Sequence, residues 1–542
     1  MDLITKIKNK IYRGEKKKSI LFPILLISLF LWFFYFYYYS SILIEAGGME
    51  YAQIAYNLYK GNGFKTDIIL PFRLNYQSYD YPFKYGILHP LIICLFFKIF
   101  GVSDLSVVLS SGIFYFFIII ILFIFTKKIF SEDVAMLSIL LFAFNPVTLE
   151  WTMWGTPDPL FIFLIMLSLI FLVKNKNPAF AGFIFSISQI TRLHSYFYLP
   201  GIVMFIIFLY PKEKFKNLLK FIIGTVPLTS VFLFYQYLNA GILFPKFAGN
   251  YLAVFTPAYP GPQSLRSLEI IPFFEFIIYH PLQIIAKIKV GLYNFINFFP
   301  LITNPYLMAF FFSGLFFGYK NSKEKKYKFL IIFFIFSVIF FYLISIGYIE
   351  RYILTILPFI IIISSQFILS IFDTFAINSN NFKRKLFLVL FFCFLLVFPL
   401  FFDIYSLIFD KKGIGEIKKL YRTISKISQN NFKKDAVILS DSPWPVAWYG
   451  KRKCIWLLLS PDDIKKIERK IKVDGIILTS LYVAQTELDT PSLWLAKFTE
   501  PKGKSNWKDV FEGKRKLENF GKRNFVKAGE FFIVYFNKNG KN

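Results

Sequence analysis

Along most of the chain the apolar and polar positions fall into long blocks, not into a fine alternation. Ser19 to Leu43, Gly112 to Thr126, Phe329 to Ile346 and Leu386 to Phe402 are nearly continuous apolar runs. They approach or exceed the roughly 18–20 residues that carry a helix across about 30 Å of hydrocarbon. In lipid such a run has to be helical, because a helix pairs all of its backbone amides within one segment. Comparable runs predict about eleven transmembrane helices over residues 19–409. Beyond Asp410 the pattern becomes one of short apolar runs between charged segments. Ala436 to Ser440, Cys454 to Leu459, Gly475 to Thr479 and Phe531 to Phe536 predict strands. Pro461 to Lys470, opening on Asp462 and Asp463, predicts a helix whose first turn favours carboxylates. The expected architecture is a polytopic α-helical membrane protein ending in a small α/β domain over residues 410–542, where no phosphate-binding glycine loop is evident.

Composition narrows the class. The chain of 542 residues is 56% hydrophobic and 21% aromatic, with a mean hydropathy of +0.54; a purely soluble fold could not hide that share of apolar residues. The formal charge of +29 would fit a nucleic-acid binder, but lysine-rich short loops of a polytopic protein produce such an excess through membrane orientation. Nucleic acid is therefore not an expected partner. Cys94, Cys393 and Cys454 lie far apart, as do His89, His194 and His280, so neither a disulfide framework nor a metal-ligand spacing is evident.

Charge also orients the chain. Met1 to Lys18 holds seven basic residues ahead of a first apolar run too long for a signal-peptide core, which predicts an uncleaved cytoplasmic start over residues 1–18. The first span then delivers Glu45 to the outer face, into an external loop over residues 45–106. Within that loop Ile87 to Gly101 is short for a crossing and carries Lys98, so it is expected to lie in the interface. With that parity Lys127 and Lys128, Lys174 and Lys176, Lys212 to Lys216, Lys320 to Lys328 and Lys383 to Lys385 all fall inside. If Ile87 to Gly101 crossed, every one of these would invert. The stretch 240–303, polar at Arg266, Glu269, Glu275, Lys287 and Lys289, is assigned mostly to a second external loop. Asp158, Arg192, Glu350, Arg351 and everything beyond Asp410 then face outward, which places the protein in the cell (plasma) membrane with a cytoplasmic N-terminus and an extracytoplasmic C-terminal domain.

Ionisable groups at the outer membrane edge are the candidates for chemistry, since charge close to lipid is costly. Glu45 and Glu50 open a helix-like stretch in which Met49, Ala52, Ala55, Tyr56 and Tyr59 share a face and Gly61-Asn62-Gly63 supplies a stop. An interfacial helix with solvated glutamates has the same pattern. Asp158, in Trp154-Gly155-Thr156-Pro157-Asp158-Pro159, heads a span, where it also complements the helix dipole. Arg192 and His194 end another span; the arginine either snorkels or holds a lipid phosphate. Glu350 and Arg351 either pair with each other or join the others. Acids and arginines from four spans on one outer surface suit an anionic lipid substrate entering sideways, and equally a transporter gate.

In order along the chain these segments resemble the GT-C glycosyltransferase superfamily, in the branch of dolichyl-phosphate-mannose protein mannosyltransferases and the lipid A aminoarabinose transferase. Glu50 to Leu58 with Gly61 and Gly63 is similar to that family's first external helix, and His89-Pro90-Leu91 through Lys98-Ile99-Phe100-Gly101 to its interfacial helix. Asp158-Pro159-Leu160-Phe161, Thr191-Arg192 with Pro200, and Glu350 to Leu354 with Leu357-Pro358 match further recurring positions. The resemblance implies inverting transfer of a sugar from a polyprenyl-phosphate carrier to a hydroxyl or amine at the outer face. It implies a carboxylate as base and basic groups on the phosphate leaving group. The lipid-linked sugar donor is then a co-substrate drawn from membrane lipid, the acceptor (protein, lipid or glycan) stays open, no cofactor is certain, and a divalent metal is left open without support in the sequence. In the family an aspartate stands about four residues before the position of Tyr51; here Gly47 and Gly48 occupy that neighbourhood. Glu45, Glu50 and, later in the loop, Asp80 are the substitutes. The expected catalytic residues are Glu50 and Asp158, with Lys84, Arg192 and Arg351 facing phosphate and Glu45, Tyr51, Asp80, His194 and Glu350 lining the substrate. Ser442-Pro443-Trp444 and Trp448 to Arg452 put aromatics beside basic groups, which suits sugar stacking, lipid headgroups or an ordinary core. The rival reading is a lipid-linked sugar transporter or a catalytically silent binding protein on the same scaffold.

Overall fold

The computed structural model describes residues 18–76, 78–241, 243, 247–302, 305–318, 321–345, 350–377, 398–409, 412–483 and 507–538. The N-terminal lysines up to Lys17, the basic loop Lys383 to Lys385, Cys393 and most of the Leu386 to Phe402 run lie outside them, as does the side chain of Glu350. Among the described residues five helices are long and apolar enough to cross a membrane: Phe22–Tyr39, Asp104–Ile129, Lys214–Ala240, Ser322–Ser345 and Leu354–Ile371. A sixth arises if Glu132–Ala143 and Pro146–Thr152, bent by 65° at their junction, form one span. Six shorter apolar helices, among them Leu88–Phe100, Asp158–Val173 and Pro178–Thr191, accompany them among the described residues. Proline divides the apolar blocks. Pro146, Pro159, Pro178 and Pro200 each stand in a first helical turn, where the missing N–H costs nothing and a new helix begins. Asn145 and Asn177 cap two of these starts through their side-chain oxygens.

The helices show apolar side chains on their outer faces, with Phe22 70%, Phe30 73% and Phe316 89% exposed, a surface suited to lipid and not to water. The stretch assigned mostly to a second external loop instead holds a long helix, Pro281–Ile302. Its sequence misleads because Lys287 turns inward, where its amine donates to the carbonyls of Leu252 (2.8 Å) and Ser345 (2.9 Å), while Leu282, Ile285 and Ile296 face out.

One mixed sheet holds six strands: β1 (Ile68–Ile69), β2 (Val437–Ser440), β3 (Lys453–Trp456), β4 (Gly475–Thr479), β5 (Asn524–Ala528) and β6 (Phe531–Asn537), in the order β1-β3-β2-β4-β6-β5. β1 to β4 pair in parallel and β6 runs antiparallel to β4 and β5. β2 and β4 are buried on both faces, as interior strands of a covered sheet are. Ile438 and Ile477 point into the large core shared with the helices, while Leu439, Ile476 and Leu478 build a second core with Trp507. The four strands read from sequence are present within two or three residues at each end. β5 and the two-residue β1 were not read, and Pro461 to Lys470 is a short 3-10 turn followed by Ile464–Glu468.

β1 comes from the segment between the helices Ala46–Tyr59 and Leu88–Phe100, so the sheet joins that segment to the C-terminal residues: Ile68 pairs with Cys454, and Cys454 N–H donates to Asp67 O at 2.8 Å. The helix-rich part is held from two more points. Arg266 donates from Nε to Leu457 O (2.7 Å) and from Nη2 to Leu458 O (2.9 Å). Asp104, at the head of a spanning helix, accepts from Trp448 Nε1 (2.7 Å) and the Tyr449 hydroxyl (2.9 Å).

Candidate functional site

The helix Ala46–Tyr59 begins directly after the first span, with Glu45 in the extended N-cap position. Its stop is the one read from sequence, with Gly61 and Gly63 at positive φ. The first turn is glycine for a steric reason: a Cβ on Gly47 would run into the Arg351 guanidinium and one on Gly48 into the carbonyl of Trp154. Close approach of this turn puts Glu45 beside two other helix ends. Asp158 opens Asp158–Val173 and is fully buried; Arg192 is the C-cap of Pro178–Thr191 and is also buried.

The charges meet in one network. Arg351 donates from Nε to Asp158 Oδ2 (2.7 Å) and from Nη1 to Glu45 Oε1 (3.0 Å), while Arg192 Nη1 pairs with Asp158 Oδ1. Both oxygens of Asp158 are thus held by guanidinium groups. The Arg192 guanidinium also lies 4.4 Å from the centre of the Tyr352 ring. Glu45 and Asp158, separated by 113 positions in the sequence, converge on Arg351.

Glu50 belongs to an adjoining cluster. Its Oε2 accepts from the Tyr85 hydroxyl and from Trp444 Nε1 at 3.3 Å, with Lys84 Nζ 4.0 Å away. Burial, and next the Glu50 charge, raise the Tyr85 phenol well above its ordinary value, so it serves as a donor and not as a phenolate. Tyr51 joins the two clusters: its ring meets Tyr85 at 4.8 Å and His89 at 5.3 Å, and its surroundings include Arg192, Arg351 and Glu50. His89 Nε2 pairs with the Gly155 carbonyl at 3.1 Å, which ties the helix Leu88–Phe100 to the turn before Asp158. Gly155 has φ 68°, the left-handed conformation that this turn requires.

Of the residues expected at the site, Glu45, Glu50, Tyr51, Lys84, Asp158, Arg192 and Arg351 are brought together. Asp80 is turned toward Lys65 (3.1 Å). His194 is half-buried among Phe197, Tyr342 and Tyr352, the ring that also meets Arg192, and the charges around it are Arg192, Arg351 and Lys84, so it borders the same cluster. Sequence reasoning missed Tyr85, His89 and Tyr352 as neighbours of these charges and left Trp444 undecided. The tyrosines carried a faint signal, each following directly on a basic residue already singled out, Lys84 or Arg351. Trp444 belongs to the C-terminal part of the chain, so a residue of the sheet-bearing half touches Glu50. Among the described residues no group of three or more His, Cys, Asp or Glu side chains gathers to hold a metal. Chemically, the arrangement offers a carboxylate able to take a proton, Glu50, next to a cluster of cations able to meet an anion.

Fold and site together define a largely helical chain with several apolar, span-length helices, whose buried acids and arginines gather where helices end. The family model for dolichyl-phosphate-mannose-protein mannosyltransferase matches residues 84–235. The structure is similar to that of ArnT from Cupriavidus metallidurans bound to undecaprenyl phosphate, with a TM-score of 0.56 at 10% identity, covering 96% of this chain and 98% of that one. It is also similar to the Archaeoglobus fulgidus oligosaccharyltransferase tethered with an acceptor peptide containing the NVT sequon (TM-score 0.56, 12% identity, 97% of this chain and 75% of that one). The same archaeal enzyme, AglB, in complex with an inhibitory peptide and a dolichol-phosphate, gives 0.53 at 12% identity over 86% of this chain and 70% of that one. No curated protein sequence matches the chain. The GT-C resemblance read from the ordered motifs is met by the family model and by these folds.

Proposed function

We propose that the protein is a membrane glycosyltransferase that moves a sugar from a polyprenyl-phosphate carrier to an acceptor hydroxyl or amine at the outer face of the cell membrane. The observation that carries this reading is the junction of Glu45, Asp158, Arg192 and Arg351 beside the Glu50, Lys84 and Tyr85 cluster. Polyprenyl phosphates bound by the similar structures support a lipid-linked donor. Glu50 takes the acceptor proton: its neighbours are two neutral donors and a lysine at 4.0 Å, so it is not locked in a double guanidinium pair. Asp158 holds Arg192 and Arg351 in place, and Lys84 with those arginines offsets charge that develops on the leaving phosphate. Residues 410–542 form the extracytoplasmic domain, which lays Trp444 over Glu50.

In the test, Asp158→Asn, Arg192→Ala and Glu50→Gln are each assayed with membranes and a panel of radiolabelled polyprenyl-phosphate sugars. Each is expected to abolish transfer while leaving insertion intact; full turnover in all three would remove the site. One observation favours the silent binding protein: at Gly47 and Gly48, near where the family carries its aspartate, an added side chain meets Arg351 or the Trp154 carbonyl. Carrier binding without turnover by the unmodified protein, for every sugar in the panel, would decide for that reading.

A further inference from the structure

Arg73 lies in the first external loop, in the 3-10 turn Pro71–Asn75. It is 2% exposed, yet among the described residues its Nε and Nη2 have no hydrogen-bond partner. A guanidinium taken out of water with idle donors is costly, and such a group is retained where an anion meets it. Its surroundings are those of the proposed site. Tyr251, Glu50 and Tyr85 are the main polar groups facing it, and its Cζ is 6.0 Å from the centre of the Phe83 ring, one residue before Lys84. Glu50 does not serve as its partner, since the carboxylate is engaged by Tyr85 and Trp444. Arg192 and Arg351, by contrast, spend donors on Asp158 and Glu45.

Charge counting points the same way. Lys65, Arg73, Lys84, Arg192 and Arg351 stand against Glu45, Glu50, Asp80 and Asp158, five cations to four carboxylates; the other four cations each make an ion pair, while among the described residues Arg73 makes none and faces Glu50 and Asp80 only at longer range. One positive charge is left over, and it sits on Arg73.

We propose that Arg73 is a substrate-binding residue that takes the phosphate of the lipid-linked donor in its forked donors, next to Glu50. This rests on the donor class proposed above. The count matches a phosphodiester, which carries a single charge. In transfer the acceptor heteroatom bonds to the anomeric carbon, and the bond from that carbon to the phosphate oxygen breaks with its electron pair left on phosphate. The acceptor proton passes to Glu50. The phosphate gains one negative charge as Glu50 loses one, so the sum at the site stays at zero and Arg73 is held more tightly to the product than to the donor. A pyrophosphate-linked donor brings charge that this set does not offset.

The full chain, purified in detergent, is titrated with undecaprenyl phosphate and with undecaprenol, which lacks the phosphate, and binding is followed by tryptophan fluorescence. Arg73→Met keeps the buried bulk and removes the idle charge. It is expected to reduce the preference for the phosphate by about tenfold or more, leave undecaprenol binding unchanged, and melt at the same or a higher temperature. A variant that keeps the wild-type preference overturns the assignment. So does one that melts well below wild type, because the guanidinium would then serve the fold. If the wild-type protein does not distinguish phosphate from alcohol, the donor reading fails and this inference with it; wild-type preference retained in Arg73→Met sinks the inference alone.

Discussion

Glu50 and Asp158 are both buried carboxylates, and their partners set them apart. Asp158 meets two guanidinium groups, and Glu50 meets a phenol, an indole and a more distant amine. Asp158 has both oxygens tied by arginines, whereas Glu50 is held through one oxygen by neutral donors and keeps the other for an acceptor proton. The indole of Trp444 fixes which oxygen of Glu50 is free. Trp444→Phe removes one hydrogen bond to a charged group, about 1.5–3 kcal/mol, while keeping an aromatic ring. It is expected to slow transfer by about tenfold or more with donor binding unchanged; a wild-type rate in this variant would detach the tryptophan from the chemistry.

The helix Ala46–Tyr59 works only because its first turn is bare. At Gly48 an added methyl meets backbone, the Trp154 carbonyl, whereas at Gly47 it meets the end of a flexible arginine. Gly48→Ala is therefore expected to lose about 1–3 kcal/mol of stability and to melt lower than Gly47→Ala, which disturbs the Arg351 to Glu45 contact and costs activity before stability. Equal melting temperatures would contradict the close approach. These elements also mark how far sequence reading reaches. The helix, its glycine stop and the aspartate heading Asp158–Val173 were legible because local signals encode them: a shared face, a turn and a proline. The meeting of Asp158 with Arg351, 193 positions away, was not, since no local pattern encodes a contact between spans. Arg73 was passed over in a loop without periodicity, and Lys287 misled because a buried lysine reads as a solvated one. β1 is two residues long and takes its identity from its partner in the sheet.

At the scale of the molecule the membrane helices and the sheet are tied by specific polar contacts, not by apolar burial alone. Asp104 receives both Trp448 and Tyr449, whose hydroxyl also accepts from Leu43 N–H at 2.9 Å, and Lys451 lies 3.7 Å from the Trp448 ring centre. Asp104→Ala leaves a buried indole and a phenol short of an acceptor, about 1–3 kcal/mol for each. Limited proteolysis of the purified protein is expected to release the C-terminal part much sooner in this variant, with transfer lowered in parallel. Release at the wild-type rate would mean that Asp104 does not clamp the two parts.

The two-residue β1 has a consequence for assembly. It comes early in synthesis, and the neighbour it pairs with, at Cys454, follows 386 positions later. The segment around Ile68 cannot complete its sheet until that late stretch has been made, and Trp444 reaches Glu50 from the same late part of the chain. A half-made chain thus holds its acids and arginines without the indole that contacts Glu50, and that contact forms only once the late strands have joined the sheet.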